Sequence, residues 1–377
     1  MNRKVSEINL QRMLSLIRAA LHGINSDEDL FSNLTDSDWN EIFDLSTAQG
    51  VLVLSLNGIT LLNKKLQPPI TLKMRWIASA ETVEKNYKHK LATAKALSLR
   101  YRENNIRMMV FKGVSISRLY PVPSSREFGD IDIFLFGKSK EGDTILNKVS
   151  RNKFNISKKH ICHVYKGVLI ENHHTILSHG FMGKLKHSEY LEEQLMMILK
   201  EAGYMNDAHL DETTPTDDQL IFPPPDFDSL FVTLHTLIHF SERIVLRQLC
   251  DITLIFTALK GKINFSLYKD SLSKAGFEKL ADAFISISVR YLGLDPECAP
   301  PYKSDFELED RVWNDLMIPK ILSPSKEKSN FFNVFIFNIK LMIIRRWKTE
   351  IIFPGQFIKR LFYFTFYFIV HPNKMER

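Results

Sequence analysis

The chain has 377 residues, 45% of them apolar and 25% charged, and carries a net charge of +7. That balance excludes wholesale disorder and leaves length for two or three domains around a sizeable core. Its three cysteines, Cys162, Cys250 and Cys298, are odd in number and widely spaced, which argues against a disulfide framework or zinc ribbon and for a reducing compartment.

Met1-Asn2-Arg3-Lys4 leads into an amphipathic pattern, Leu10, Met13, Leu14 and Ile17, with no signal-peptide apolar region, so a cytoplasmic location is expected. Residues 1–104 read as an N-terminal helical region. Thr35 or Ser37 is placed to cap the helix that holds Trp39, Ile42, Phe43 and Leu45. Gln67-Pro68-Pro69 breaks the next segment. A long helix from about Leu72 to Asn104 then carries the stripe Trp76, Val83, Leu91, Ala94 and Leu97.

Between residues 105 and 204 the period shifts toward two. Strands are expected at 106–111 and 130–136, with a short helix at 113–120 between them. A helix at 140–151 follows, then strands at 160–165 and 167–176 that meet at Lys166-Gly167. Residues 205–226, with Asp207, Asp211, Glu212, Asp217, Asp218 and Pro223-Pro224-Pro225, read as an acidic, proline-rich loop. Helical periodicity returns in a C-terminal helical region, 227–330.

The last stretch, 331–377, is a basic aromatic tail with eight Lys/Arg against two Glu. Its apolar run Leu361–Val370 is too short for a bilayer span, which takes ~20 residues. The reading preferred from sequence is a core helix. The alternatives are peripheral membrane contact, anchored by Lys348, Lys359 and Arg360 on anionic lipid, and nucleic-acid binding, which the excess of Phe over Arg disfavours.

The chemistry concentrates in Phe111-Lys112-Gly113-Val114-Ser115, Arg126 and Gly129-Asp130-Ile131-Asp132-Ile133. Alternation along a strand puts Asp130 and Asp132 on one face and Ile131 and Ile133 on the other. Two carboxylates that close are costly to half-bury without a cation, and Mg²⁺ or Mn²⁺ suits carboxylate oxygens. The glycine turn before a helix offers backbone N–H groups to a phosphate. Glu171 ends the apolar run Gly167–Ile170 and shares a face with Leu169 and His173, while His174 points the other way. His235 and His239 lie four apart on one helical face, a weak zinc pattern without a third ligand. Arg247 and Asp251, also four apart, read first as a helix ion pair. Walker A, kinase and Rossmann patterns are absent.

These motifs, Lys112-Gly113, Leu119-Tyr120-Pro121, Arg126 and Asp130-Ile131-Asp132, resemble the nucleotidyltransferase fold of the DNA polymerase β superfamily. The likeness is nearest to a bacterial branch of uncharacterised nucleotidyltransferases associated with surface-polysaccharide and peptide-modification loci. Glu171-Asn172-His173, the pair His235 and His239, the pair Arg247 and Asp251, and the Trp39 region extend the resemblance over roughly residues 30–260. The superfamily's usual Gly-Ser or Gly-Gly pair is Gly113-Val114 here, with Ser115 one place later.

The resemblance implies an α+β fold: a small mixed sheet with N-terminal and C-terminal helical regions, the latter closing over a cleft. It implies Mg²⁺- or Mn²⁺-dependent transfer of a nucleoside monophosphate from a nucleoside triphosphate (NTP) to a hydroxyl acceptor. Asp130, Asp132 and Glu171 would be the catalytic carboxylates and metal ligands. Lys112, Gly113, Ser115, Arg126 and His173 would bind the nucleotide, with His235 and His239 lining the cleft or packing against it. The competing readings are a non-catalytic interaction or regulatory protein that retains the fold, and a toxin-like enzyme that nucleotidylates protein or tRNA.

Overall fold

In the computed structural model, the residues described are 6–150, 153–155, 160–177, 185, 187–205, 220–317 and 331–370. Helix α1 (Glu7–His22) buries Leu10, Met13, Leu14 and Ile17 and stops at Gly23 in the left-handed conformation. Helix α2 (Asp36–Ala48) starts at Thr35, whose side chain and that of Asp38 close a reciprocal capping box. Helix α3 (Leu52–Leu61) is apolar almost all round and buried. A Cβ at its Gly58 would fall 2.2 Å from the Leu16 carbonyl oxygen, so this glycine lets α1 and α3 touch backbone to backbone. Helix α4 (Ile70–Arg102) begins directly after Pro69 and buries Trp76, Ala94, Leu97 and Tyr101.

The expected α/β block follows as β1 (Met109–Phe111), α5 (Gly113–Ser117), β2 (Ile131–Phe134), α6 (Ser139–Val149), β3 (Lys153–Asn155), β4 (His160–Tyr165) and β5 (Val168–His173). Strand β3 was not foreseen from the sequence. The five strands form one mixed sheet in the order β1-β2-β5-β4-β3. The β2–β5 pair is parallel and the others are antiparallel. Alternation sorts the two faces. Val110, Ile131, Ile133 and Ile170 pack against Ala94, Leu97 and Tyr101 of α4 in one buried cluster. Met109, Phe111 and Phe134 point into a larger core shared with the helices on the opposite side.

Those helices are α7 (Ser188–Glu201), α8 (Pro225–Phe240), α9 (Leu246–Ala258), α10 (Phe265–Lys274), α11 (Glu278–Leu292) and α12 (Phe306–Met317). The expected acidic loop lies mostly outside the described residues. At its end, Ile221 bridges to Met109 in parallel, and its carbonyl accepts from Val110 N–H at 2.8 Å. One hydrophobic core runs through both helical ends of the chain, from Leu10 to Phe353. Polar ties reinforce it. The His22 ring meets the Leu292 carbonyl at 2.8 Å, and the Gln49 amide binds Leu246 N–H at 2.8 Å and the Leu316 carbonyl at 3.2 Å.

The tail forms α13 (Phe331–Ile344), α14 (Arg346–Ile352) and α15 (Phe357–Val370). Only its base matches the core-helix expectation: Ile352, Phe353 and Phe357 are buried, whereas Phe362 and Phe366 are 73% and 66% exposed. Among the described residues no helix is long and apolar enough to cross a membrane.

Candidate active site

The site lies where the front face of the sheet meets α8. Asp132 sits inside β2 between two isoleucines that are fully buried on the back, and the parallel register sets it directly opposite Glu171 of β5. Two residues on, alternation returns His173 to the same side. Its Nε2 lies 2.9 Å from Asp132 Oδ1 and 3.6 Å from Glu171 Oε2. The ligand atoms of Asp132, Glu171 and His173 all lie within 4.8 Å of one another. Two carboxylates and an imidazole at that span fit a single divalent cation with bonds of about 2.0–2.2 Å after a small side-chain adjustment.

Lys112 already answers part of this negative charge. Its Nζ lies 2.6 Å from Asp132 Oδ1. The chain delivers it through a strained turn: Lys112 has φ 53° and ψ −120°, a conformation that ordinarily belongs to glycine. Gly113 follows for another reason, because a Cβ there would press to 2.8 Å against the Phe128 ring. The Lys-Gly pair thus splits its work. Lysine carries the unusual backbone, and glycine carries the close approach.

The electrostatics reflect the crowding. Burial and the neighbouring Asp132 and Glu171 carboxylates push Asp130 up to about 6. Burial alone would also raise Asp132, but the Lys112 ammonium and the His173 ring overcome it and hold that carboxyl well below the usual range. On His173, burial and then Lys112 pull downward, and the hydrogen bonds to Asp132 and Glu171 outweigh them, leaving the imidazole more basic than usual. On Lys112, burial opposes the charge, and Asp132, Glu171 and Asp130 together raise its pKa.

Helix α8 roofs the cluster with an aromatic stripe at helical spacing. Phe231 stacks on Phe227 at 5.4 Å and on His235 at 5.8 Å, and His235 meets His239 at 4.3 Å. Phe111 bridges sheet and roof, 4.9 Å from His173 and 5.2 Å from Phe231. Burial, then Lys112 and His239, hold the His235 ring well below its ordinary pKa, which favours its neutral form between Phe231 and His239.

Several expected residues lie elsewhere. Asp130, half-buried just ahead of β2, stands beside the cluster; His173 takes the third place in it. Arg126, expected on phosphate, is buried in a two-pronged ion pair with Asp251, Nε to Oδ1 at 2.7 Å and Nη2 to Oδ2 at 2.8 Å. Its remaining arm donates to the Gly113 carbonyl at 3.3 Å, and Tyr120 Oη donates to Asp251 at 2.8 Å. Arg126 therefore clamps the Lys-Gly turn to α9. Asp251 consequently does not pair with Arg247, whose Nη1 donates to the Glu127 carbonyl instead. Ser115 is fully buried behind the turn, with Oγ 3.4 Å from Asp228 of α8.

Two groups went unnoticed in the sequence. Cys162 pairs with Glu171 across the sheet and points its Sγ at Oε1 from 3.8 Å. On the opposite face, Asp143 collects His163 at 3.1 Å, Asn172 at 2.8 Å and His174 at 2.9 Å. This is where the alternation of His174 away from the site sends it. Only the strand register could have brought these residues together.

The protein is thus mostly helical around a small mixed sheet that carries an acidic–imidazole cluster able to receive a divalent cation. The chain belongs to the family described as uncharacterised nucleotidyltransferase, whose model matches residues 35–293. Comparison with curated proteins and with solved structures returns no match.

Proposed function

We propose that the protein is a metal-dependent nucleotidyltransferase that moves a nucleoside monophosphate from an NTP to a hydroxyl acceptor and releases pyrophosphate. The observation that carries this reading is the meeting of Asp132 and Glu171 across parallel strands, with Lys112 held against Asp132 by a strained turn. Strain persists where surrounding structure over-determines it, and it clusters at functional sites.

Asp132, Glu171 and His173 would hold Mg²⁺ or Mn²⁺, with Asp130 adding negative charge at the mouth. A divalent ion there neutralises phosphate charge and acidifies a nearby hydroxyl. The acceptor oxygen attacks the α-phosphorus, the bond to the β-phosphate bridging oxygen breaks, and pyrophosphate leaves with that electron pair. Glu171, the more open of the paired carboxylates, takes the acceptor proton. Lys112 swings from Asp132 to the departing phosphates, where its charge offsets the developing negative charge. Phe231 and His235 supply an apolar, neutral roof for the base or sugar. Arg126 holds the turn that carries Lys112 and leaves the phosphates to other groups.

One observation favours a second reading, a non-catalytic protein that retains the fold. The Lys112 ammonium compensates Asp132 without any metal. A thermal-shift screen of four NTPs, each with Mg²⁺ or Mn²⁺, separates the two, since a ligand of the native state raises its stability. The catalytic reading expects a shift that needs both NTP and metal and that disappears in Asp132→Asn. No shift with any pair would sink it.

A further inference from the structure

The tail sorts its positive charges in two directions. Arg345 and Lys348 turn inward onto Asp315 of α12, at 3.0 and 2.7 Å, and Arg360 reaches Glu242 at 3.6 Å. All three are nearly or fully buried, so two of the anchors expected on lipid, Lys348 and Arg360, instead pin the base of the tail to the helical core. Beyond that base α13 and α15 make their main contacts with each other and with α14, including a stack of Phe335 on Phe364.

On the outer side of α15, Ile358, Phe362, Phe366 and Val370 recur every fourth residue and are all at least half exposed. That spacing makes one continuous apolar stripe on a helix. Ile343 and Ile344 extend the exposed apolar surface at the end of α13. The exposed cations lie beside it: Lys359 is one helical step from Phe362, and Lys340 is one step from Ile343 and Ile344. Neither lysine has an ion pair among the described residues, and the only described carboxylate of the tail, Glu350, lies 3.7 Å from the exposed Arg346. Apolar stripes of this kind are unusual on a soluble surface.

We propose that the α13–α15 hairpin is an interfacial anchor that lays Ile358, Phe362, Phe366 and Val370 into the headgroup–acyl boundary of an anionic lipid bilayer. Lys340, Arg346 and Lys359 contact the lipid phosphates. The charge pattern selects this occupant: an apolar stripe flanked by Lys340 and Lys359, which have no ion pair among the described residues, and by the exposed Arg346, matches a negatively charged, apolar-cored surface on both counts. The helices lie in the interface plane, since α13 and α15, 14 residues each, are shorter than a span. The buried Arg345 and Lys348 pairs with Asp315 tie the base of the hairpin to the helical core. This inference does not rest on the nucleotidyltransferase reading.

Co-sedimentation of the full chain with phosphatidylcholine vesicles, with and without a quarter phosphatidylglycerol, tests it. Binding is expected to the anionic vesicles, weak to the neutral ones, and reduced by high salt. The double variant Phe362→Ser/Phe366→Ser should lose about tenfold or more in affinity with its melting temperature unchanged, because both side chains are exposed. Lys340→Glu/Lys359→Glu should weaken anionic binding alone. Absence of binding to anionic vesicles at low salt overturns the proposal. So does a dimer that the serine variant converts to monomer while lipid binding stays nil, which would assign the stripe to a second copy of the chain.

Discussion

Replacing Asp251 by alanine should be among the most damaging single changes in this protein. Asp251 is buried and takes two charge-assisted hydrogen bonds from Arg126 and a third from Tyr120. Truncation strands a guanidinium that is 8% exposed with only the Gly113 carbonyl for company. Breaking a buried pair from one side costs about 3–5 kcal/mol, and the orphaned Tyr120 hydroxyl adds about 1 kcal/mol. Urea denaturation followed by tryptophan fluorescence reads the loss. The double variant Arg126→Met/Asp251→Leu removes both charges and should recover at least half of it, because two apolar side chains of similar bulk replace the pair. NTP-dependent thermal stabilisation should recover with it, since Arg126 acts through the turn rather than on phosphate. A loss below about 1 kcal/mol for Asp251→Ala, the range of exposed pairs, would refute the clamp. Restored stability with no restored nucleotide response would return Arg126 to the phosphates.

Further outcomes follow from the same geometry. Asp132→Asn should keep the far-ultraviolet circular dichroism of the wild type and abolish metal-dependent NTP turnover; turnover at the wild-type rate would place the chemistry elsewhere. His173 must give up its Nε2 proton to take a cation, and its basicity is raised in the fold. Mn²⁺ affinity should therefore be full above that raised pKa and fall about tenfold per pH unit below it, with His173→Asn flattening the profile; a wild-type profile that is already flat would remove His173 from the ligand set. Burial raises the Asp228 carboxyl to about 7, against about 3.9 when unfolded. The native state thus keeps a proton that the unfolded chain has lost, so stability falls as pH rises between about 4 and 7 and levels off above. Asp228→Asn should erase that slope and raise the neutral-pH melting temperature. A lower melting temperature would mean that the Arg118 pair, at 3.3 Å, outweighs burial.

What the sequence made legible was local. Alternation around Asp130-Ile131-Asp132 and along Leu169, Glu171 and His173 correctly divided buried back face from site face, because strand geometry is a property of consecutive residues. The Thr35 cap and the long helix after Pro69 follow from equally local rules. The misreadings were long-range. Spacing four apart suggested Arg247 for Asp251, whereas the true partner, Arg126, is 125 residues away. Nothing in a strand's own pattern fixes the register that puts Cys162 and Asp132 on either side of Glu171. The tail's aromatic density looked like core, yet its cations had already divided into buried pairs and exposed flanks, a sorting visible only once Asp315 and Glu242 are in place.

In the proposed mechanism Asp132, Glu171 and His173 bind a divalent cation that serves an NTP. Titration of Mn²⁺ by electron paramagnetic resonance, which counts free ion directly, tests it on wild type and Asp132→Asn, each with and without NTP. The wild type should show a site that tightens when NTP is added and that is missing from the variant. Equal Mn²⁺ binding by the two proteins, or none by either in the presence of NTP, would contradict it.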